Sequence, residues 1–203
     1  MSKPAWMYSV SFIAAALLLP TFACAHTGVG ETGGFLHGLA HPVSGLDHLC
    51  AMLAVGLWAA QMGGRPVWAV PLTFVGVMAL GGVLGTLGIS LPFVEPGIVL
   101  SVLLLGVLIA AAIRLPFWLS GSMVGLFALW HGHAHGAEMP AAASGMAYAL
   151  GFMLATASLH IIGIGFGLGM QRLPVLSRVE RTRERIVRLT GAGIALCGVY
   201  LAV

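Results

Sequence analysis

The chain has 203 residues, of which 59% are hydrophobic and only 7% are charged. Soluble domains carry about 25% charged residues, and so few charges cannot cover a water-facing surface. This composition excludes an ordinary soluble domain and predicts a membrane protein whose outer surface faces lipid. The net charge of +3 does not indicate a nucleic-acid partner, because the arginines are confined to short loops and are better read as topology signals.

The N-terminus has the pattern of a secretory signal. Lys3 gives a positive start, Ser9 to Leu19 is a short apolar core, and Ala23-Cys24-Ala25 matches the small-x-small cleavage pattern. We expect residues 1–25 to be a signal peptide and residues 26–203 to form a single transmembrane domain. The alternative is an uncleaved first helix.

Six apolar stretches follow the signal. Each is able, as a helix, to span about 30 Å of hydrocarbon, although the fourth is short. They run roughly over Ser44–Met62, Val67–Ile89, Pro96–Ile113, Phe117–His131, Ala141–Met170 and Ile186–Val203. The predicted fold is therefore all-α, a polytopic transmembrane helix bundle of about six helices after a cleaved signal peptide.

The charged residues predict the orientation of these spans. If the signal exports the N-terminus, the inside loops carry Arg65, Arg114 and the run from Arg172 to Arg188, so every arginine after the signal is cytoplasmic. Three acidic residues fall on the opposite side, namely Glu31, Glu95 and Glu138. We expect a bacterial inner-membrane protein with both mature termini in the periplasm. The arginine run is read as a topogenic, lipid-facing loop in preference to a partner-docking site.

Eight histidines are many for so apolar a chain, and they cluster. The first group comprises His26, His37, His41 and His48, with Asp47 beside His48. Neutral imidazole is the commonest transition-metal ligand, and a neighbouring carboxylate adds charge and orients the ring. These residues are therefore candidate metal ligands, His26 through the amine of the new N-terminus as well as its ring.

The spacing within this first group predicts which of its histidines share one face of a helix. A helix that starts at Pro42 would place His41 and His48 on one face, seven residues or two turns apart, and an earlier start would add His37. The alternative is structural, with Asp47 complementing the dipole of a helix N-terminus and His48 lying at the membrane interface. Adjacent ionisable groups at the start of a span favour function.

The second group follows the fourth span and reads Trp130-His131-Gly132-His133-Ala134-His135-Gly136-Ala137-Glu138. On a continuing helix His131, His135 and Glu138 share one face, and His133 points away. An irregular end at the glycines would let all four side chains converge. The alternative is a periplasmic loop that is merely rich in histidine, but metal-ligand residue types are concentrated here.

Three further features stand apart from these groups. His160 is alone in the fifth span, where a buried histidine is more often hydrogen-bonded to a neighbouring helix than a ligand. Met52, one turn from His48, is a candidate secondary contact. Cys50 and Cys197 lie in apolar stretches and indicate neither a disulfide framework nor a thiolate cage.

Three pieces of the sequence, two of which are histidine motifs, resemble a known family. The pieces His41-Pro42-x-x-Gly45-x-Asp47-His48-x-x-Ala51-Met52, Val55-Gly56-x-Trp58-Ala59-Ala60-Gln61 and His131-Gly132-His133-Ala134-His135-Gly136-x-Glu138 closely resemble the HupE/UreJ family of hydrogenase and urease accessory membrane proteins. Members of that family are regarded as nickel permeases. The resemblance implies six metal-handling residues, namely His41, Asp47, His48, His131, His135 and Glu138. The wider nickel/cobalt transporters have a similar His-x4-Asp-His signature, but five residues separate His41 from Asp47 here, so that geometry does not transfer.

The resemblance and the composition together predict an inner-membrane permease that imports Ni²⁺, with Co²⁺ or Zn²⁺ as alternative ions, to supply hydrogenase or urease. Residues 26–203 would be the metal-transport domain. We expect no enzyme activity, no permanently bound cofactor and no nucleic-acid partner; the partners would be the metal ion, the lipid bilayer and nickel-enzyme maturation machinery. The alternatives are a non-transporting metal-binding or assembly factor, a haem-binding redox subunit and a metal exporter. A haem held by two histidines would need one on each of two spans at matching depth. Only His160 is deep, which counts against the haem-binding subunit.

Overall fold

A computed structural model describes residues 31–139, 144–172 and 180–203. This part of the chain consists of helices, turns and loops without a strand. Its seven helices are α1 (Glu31–Ser44), α2 (Leu46–Met62), α3 (Pro66–Thr86), α4 (Val94–Ala111), α5 (Phe117–Ala137), α6 (Gly145–Arg172) and α7 (Glu180–Leu201). The all-α prediction is confirmed, and each of the six predicted apolar stretches overlaps one helix from α2 to α7. The predicted signal and His26 lie outside the described residues.

Three helices are long and apolar enough to cross a membrane by themselves, namely α3, α4 and the Gly145–Met170 part of α6. A fourth candidate is the pair Gly34–Ser44 and Leu46–Met62, whose axes differ by 81°. The other two helices are less apolar because α5 contains three histidines and α7 begins in a charged segment. Both still pack along a spanning helix, α5 on α3 and α7 on α4.

The centre of the bundle is α2. It contacts α1, α3, α4, α6 and α7, and its residues from Ala54 to Ala60 are all buried. Trp58, fully buried, donates an indole hydrogen bond of 2.9 Å to the backbone carbonyl of Ile113, just after α4. A helix buried on all sides is apolar all round, which explains why this stretch has no polar face.

The path into α2 differs from the one that the sequence predicted. We expected a helix to start at Pro42, but Pro42 lies in the last turn of α1 and a second helix starts at Leu46. Gly45 between them has an extended backbone, with φ −100° and ψ 127°. The predicted shared face of His41 and His48 is therefore wrong, because the two residues belong to helices that are bent by 81° relative to each other.

The fifth helix is longer than the predicted fourth span, since α5 continues six residues past His131 to Ala137. At Gly132, α5 comes so close to α3 that a Cβ there would collide with the backbone carbonyl of Met78. Such small residues let membrane helices approach closely where lipid supplies no hydrophobic driving force between them. The contact holds α5 in register on α3 and so fixes where its histidines lie.

The outer surface of the bundle is apolar. Large aliphatic side chains on four helices are more than half exposed, namely Leu72 and Leu80 on α3, Leu150 and Ile161 on α6, Leu189 and Leu196 on α7, and Leu36 on α1. Exposed apolar patches of this extent mark a membrane-facing surface in a chain with so few charges. The chain is a multi-pass membrane protein.

The structure also brings two cysteines together. The Sγ atom of Cys50 on α2 lies 3.6 Å from the Sγ atom of Cys197 on α7, and both thiols are free. The two residues are 147 positions apart in the chain. Nothing in their sequence spacing predicted this contact.

Candidate metal centre

Four histidine rings meet at one end of the bundle, where α1 ends, α2 begins and α5 ends. His41 lies on α1, His48 on α2, and His131 and His135 on α5. The ring centroids of His41 and His135 are 4.6 Å apart, those of His48 and His135 are 4.2 Å apart, and those of His48 and His131 are 5.0 Å apart. We call these four residues the histidine cluster.

The outer part of the cluster is partly open. His41 Nε2 lies 3.0 Å from Glu138 Oε2, and ligand atoms of His41, His135 and Glu138 all lie within 4.8 Å of one another. Glu138 is exposed, His41 is partly exposed and His135 is buried. Two imidazoles and one carboxylate at this separation can hold a transition-metal ion, so the group offers a charged, accessible set of donors.

The inner part of the cluster is held in a defined orientation. The Oδ1 atom of Asp47 is 2.9 Å from Nδ1 of His48 and also accepts a 2.8 Å hydrogen bond from the backbone N–H of His48. An ionised carboxylate can only accept, so Nδ1 of His48 carries the proton and Nε2 keeps its lone pair. His131 is arranged in the same way, because its Nδ1 lies 2.8 Å from the carbonyl oxygen of Phe127. A carbonyl also only accepts, and Nε2 of His131 is again the free acceptor.

The free nitrogens are buried. Among the described residues no hydrogen-bond partner is found for Nε2 of His48, Nε2 of His131 or either ring nitrogen of His135. Buried polar atoms are nearly always paired. An imidazole that donates one N–H to an oxygen and points its other nitrogen inward has the usual arrangement of a metal ligand.

The remaining predicted residues lie elsewhere. His133 was also a candidate ligand, but α5 continues as a regular helix and His133 points away from the cluster, where its Nε2 donates a 2.7 Å hydrogen bond to the carbonyl oxygen of Ile89 after α3. His37 lies one turn before His41 on α1 and is exposed. His26 is outside the described residues. Met52 is fully buried one turn beyond His48 on α2.

Sequence reasoning missed two aromatic residues on α6. The ring of Phe152 lies 3.9 Å from that of His135, and the ring of Tyr148 lies 6.0 Å from that of His41. The Tyr148 hydroxyl is buried without a hydrogen-bond partner in the described part of the chain. The only signal in the sequence is their spacing of four, which puts both on one face of a helix.

Comparison with known proteins gives the family. The model of the family described as HupE / UreJ protein matches residues 14–201. The chain belongs to the HupE/UreJ family. It is 46% identical over 189 residues to "Protein HupE" of Rhizobium leguminosarum bv. viciae, an alignment that covers 93% of this chain and 94% of that protein. No solved structure matches this HupE/UreJ chain.

Membership in the HupE/UreJ family confirms the resemblance drawn from the two histidine motifs. Both motifs, residues 41–52 and 131–138, lie inside the matched region. In this HupE/UreJ protein they form the two sides of the histidine cluster, one contributed by α1 and α2 and the other by α5. The motifs are about 80 residues apart in sequence, and packing of the bundle brings them together.

Proposed function

We propose that this HupE/UreJ protein is an inner-membrane permease that imports nickel from the periplasm, with cobalt or zinc as alternative cargo. The observation that carries the proposal is the histidine cluster itself, with Asp47 and Glu138, at one end of a membrane helix bundle. Ionisable side chains in such a position are costly and are functional by default. Imidazole and carboxylate together suit nickel and its neighbours in the transition series.

The donors suggest how an ion is captured. Glu138 and His41, the accessible pair, would meet the hydrated cation first, and the buried imidazoles of His48, His131 and His135 would replace its water. Asp47 would fix His48 as a ligand and, with Glu138, offset the charge of the ion. The ion is cargo in this scheme, so neither a resident cofactor nor enzyme chemistry is required.

Facilitated diffusion would be sufficient for import. An inside-negative potential supplies about 2.3 kcal/mol per charge per 100 mV, so a divalent cation gains about 4.6 kcal/mol by moving inward. The sequence has no P-loop pattern, which argues against ATP hydrolysis by this chain. We propose that the imported metal supplies hydrogenase or urease through the maturation machinery of that enzyme.

The proposed orientation places the histidine cluster outside. The arginine distribution supports it, because the loops at the opposite end of the bundle carry Arg65 and Arg114. The same proposal includes a signal peptide over residues 1–25, a metal-transport domain over 26–203 and mature termini that are both periplasmic. Cleavage after Ala25 would make His26 a further ligand through its free amine, and N-terminal sequencing of the mature protein tests this.

Uptake into proteoliposomes tests the permease. Purified protein is reconstituted, an inside-negative potential is imposed with potassium and valinomycin, and ⁶³Ni²⁺ uptake is compared with that of protein-free vesicles. We expect potential-dependent uptake that is lost in a His48→Ala/His131→Ala variant. A protein that binds ⁶³Ni²⁺ but gives no uptake at either polarity would be the non-transporting assembly factor instead. Transport driven only by the reversed potential in oriented vesicles would indicate an exporter.

A further inference from the structure

A fifth imidazole lies deeper in the bundle than the histidine cluster. His160 is near the middle of α6, is 1% exposed, and has no hydrogen-bond partner for either ring nitrogen within the described ranges. Thr156, one turn earlier on the same helix, is fully buried and its Oγ1 likewise has no partner there. Two buried polar side chains on one helix face therefore lack the pairing that a structural role would provide.

The surroundings of His160 are apolar and close-packed. The ring of Phe74 on α3 lies edge-on at a centroid distance of 5.1 Å. At this level α2 packs directly on α6, since a Cβ at Gly56 would collide with the backbone carbonyl of His160. The predicted hydrogen bond from this histidine to a neighbouring helix is absent among the described residues, so the imidazole is retained at a cost in desolvation without a structural gain.

Phe74 connects His160 with the inner part of the histidine cluster. The ring of Phe74 that contacts His160 also contacts His131, with a centroid distance of 5.5 Å. On α2, Gly56 is eight residues after His48, which is about 12 Å along a helix. Met52 lies halfway between them, fully buried, and its thioether is a soft donor. One residue with a soft donor therefore lies on α2 between the level of the cluster and that of His160.

We propose that His160 is a ligand of a second, inner cation-binding station, which receives a divalent transition-metal ion from the histidine cluster near the middle of the bilayer. This inference rests on the proposed function as a permease. A protein that only captured metal at its surface would need no imidazole two helical turns further in. A cation that crosses the bundle would use one, because conduction is favoured when binding is strong enough to admit the ion and is weak enough, or divided among enough sites, to release it.

The variants that test the station are His160→Ala and His160→Gln, with Ser158→Ala as the matched control. Glutamine keeps hydrogen-bonding capacity but is a poor ligand for nickel, so it separates metal binding from a packing role. Ser158 is exposed on the same helix, and its hydroxyl only bonds back to the carbonyl of Leu154. Folding of each variant is checked by gel filtration and circular dichroism.

Two measurements are made on the full-length protein. Equilibrium dialysis with ⁶³Ni²⁺ in detergent should give two ions per wild-type and Ser158→Ala molecule, and one per molecule of either His160 variant. Uptake into proteoliposomes should fall at least 10-fold in both His160 variants and stay at the wild-type rate in Ser158→Ala. If a folded His160 variant still binds two nickel ions per molecule, the inner station is wrong. It is also wrong if such a variant differs from the wild type only in how uptake responds to a proton gradient.

The two proposals fail in distinguishable ways. If wild-type vesicles show no uptake but the His160 variants still bind one nickel ion fewer than the wild type, the permease is wrong and the inner site stands. If wild-type vesicles transport nickel and the His160→Gln variant transports and binds it equally well, the permease stands and the inner station is wrong.

Discussion

Asp47 holds the ring of His48 by a 2.9 Å contact between its Oδ1 atom and Nδ1, and the same oxygen accepts the backbone N–H of His48. One carboxylate oxygen therefore fixes both the position and the tautomer of His48, which belongs to the inner part of the cluster. The ring centroid of His48 lies 5.0 Å from that of His131 and 4.2 Å from that of His135, and its Nε2 is buried without a hydrogen-bond partner among the described residues.

The first prediction concerns this pair. Asp47→Asn keeps the size of the side chain but removes its charge and allows His48 to adopt the other tautomer. Losing a carboxylate that orients a ligating histidine typically costs 10–100-fold in metal affinity or activity. We expect ⁶³Ni²⁺ accumulation by cells to fall by that factor, with membrane abundance checked by immunoblot. Arg183→Ala, at the start of α7, is the control and should accumulate nickel normally; equal loss in both variants would indicate a folding defect.

The second prediction distinguishes two histidines one turn apart on α1. His41 lies 3.0 Å from Glu138, whereas His37 is exposed. His41→Ala should weaken nickel binding by the purified protein about 10-fold or more, because a ligand is lost from the outer group, and His37→Ala should have little effect. Calorimetric titration in detergent measures both. Equal affinities for the two variants would remove His41 from the site.

The third prediction separates the histidines of α5. His133 is bonded to the carbonyl of Ile89 at 2.7 Å, so His133→Ala should lower the free energy of unfolding by about 1 kcal/mol and leave uptake per folded molecule unchanged. His131→Ala should abolish uptake per folded molecule, and it should also lower the free energy of unfolding, because its fully buried ring is bonded to the carbonyl of Phe127. Thermal melting in detergent and vesicle uptake measure the two effects. A large loss of uptake in His133→Ala, with an unchanged melting temperature, would make His133 a ligand.

The fourth prediction concerns orientation. If the arginine distribution sets the topology, the loop after Glu138 is periplasmic and the segment around Arg183 is cytoplasmic. Alkaline phosphatase fused after Glu138 should be active, and the same enzyme fused after Arg183 should be inactive. Green fluorescent protein fused at the same positions should give the complementary pattern. The reverse result would place the histidine cluster in the cytoplasm.

The fifth prediction checks the packing of α2 on α7. Cys50 and Cys197 have Sγ atoms 3.6 Å apart, close enough for an oxidant to join them with little movement. Iodine treatment of membranes should form an intramolecular disulfide, so that the denatured protein no longer gains mass from a maleimide-linked polymer until it is reduced. A Cys24→Ser background removes the third cysteine, and Cys197→Ser is the control. Full labelling after oxidation would contradict the contact.

The sequence by itself determined that this is a helical membrane protein, and it predicted which residue types carry its chemistry. Apolar stretches of spanning length must become helices in lipid, because each backbone group has to be bonded within its own segment. Histidines and carboxylates are so costly in that setting that their presence indicated a functional site, and the concentration of metal-ligand residue types predicted that the site handles a metal. The sequence left two arrangements of His133 open, and the regular α5 gives the one in which it is separated from His131 and His135 by the helical period.

Only the tertiary structure decided which of these residues meet. The break at Gly45 puts His41 and His48 on different helices, and the angle between those helices brings both residues to the cluster. Residue spacing predicts relative positions only within one continuous helix, so it did not predict this arrangement. The pairing of His41 with Glu138, of Cys50 with Cys197 and of Phe74 with both His131 and His160 joins residues on different helices. Periodicity reports the geometry of one helix, whereas contacts between helices depend on how closely their small residues let them pack.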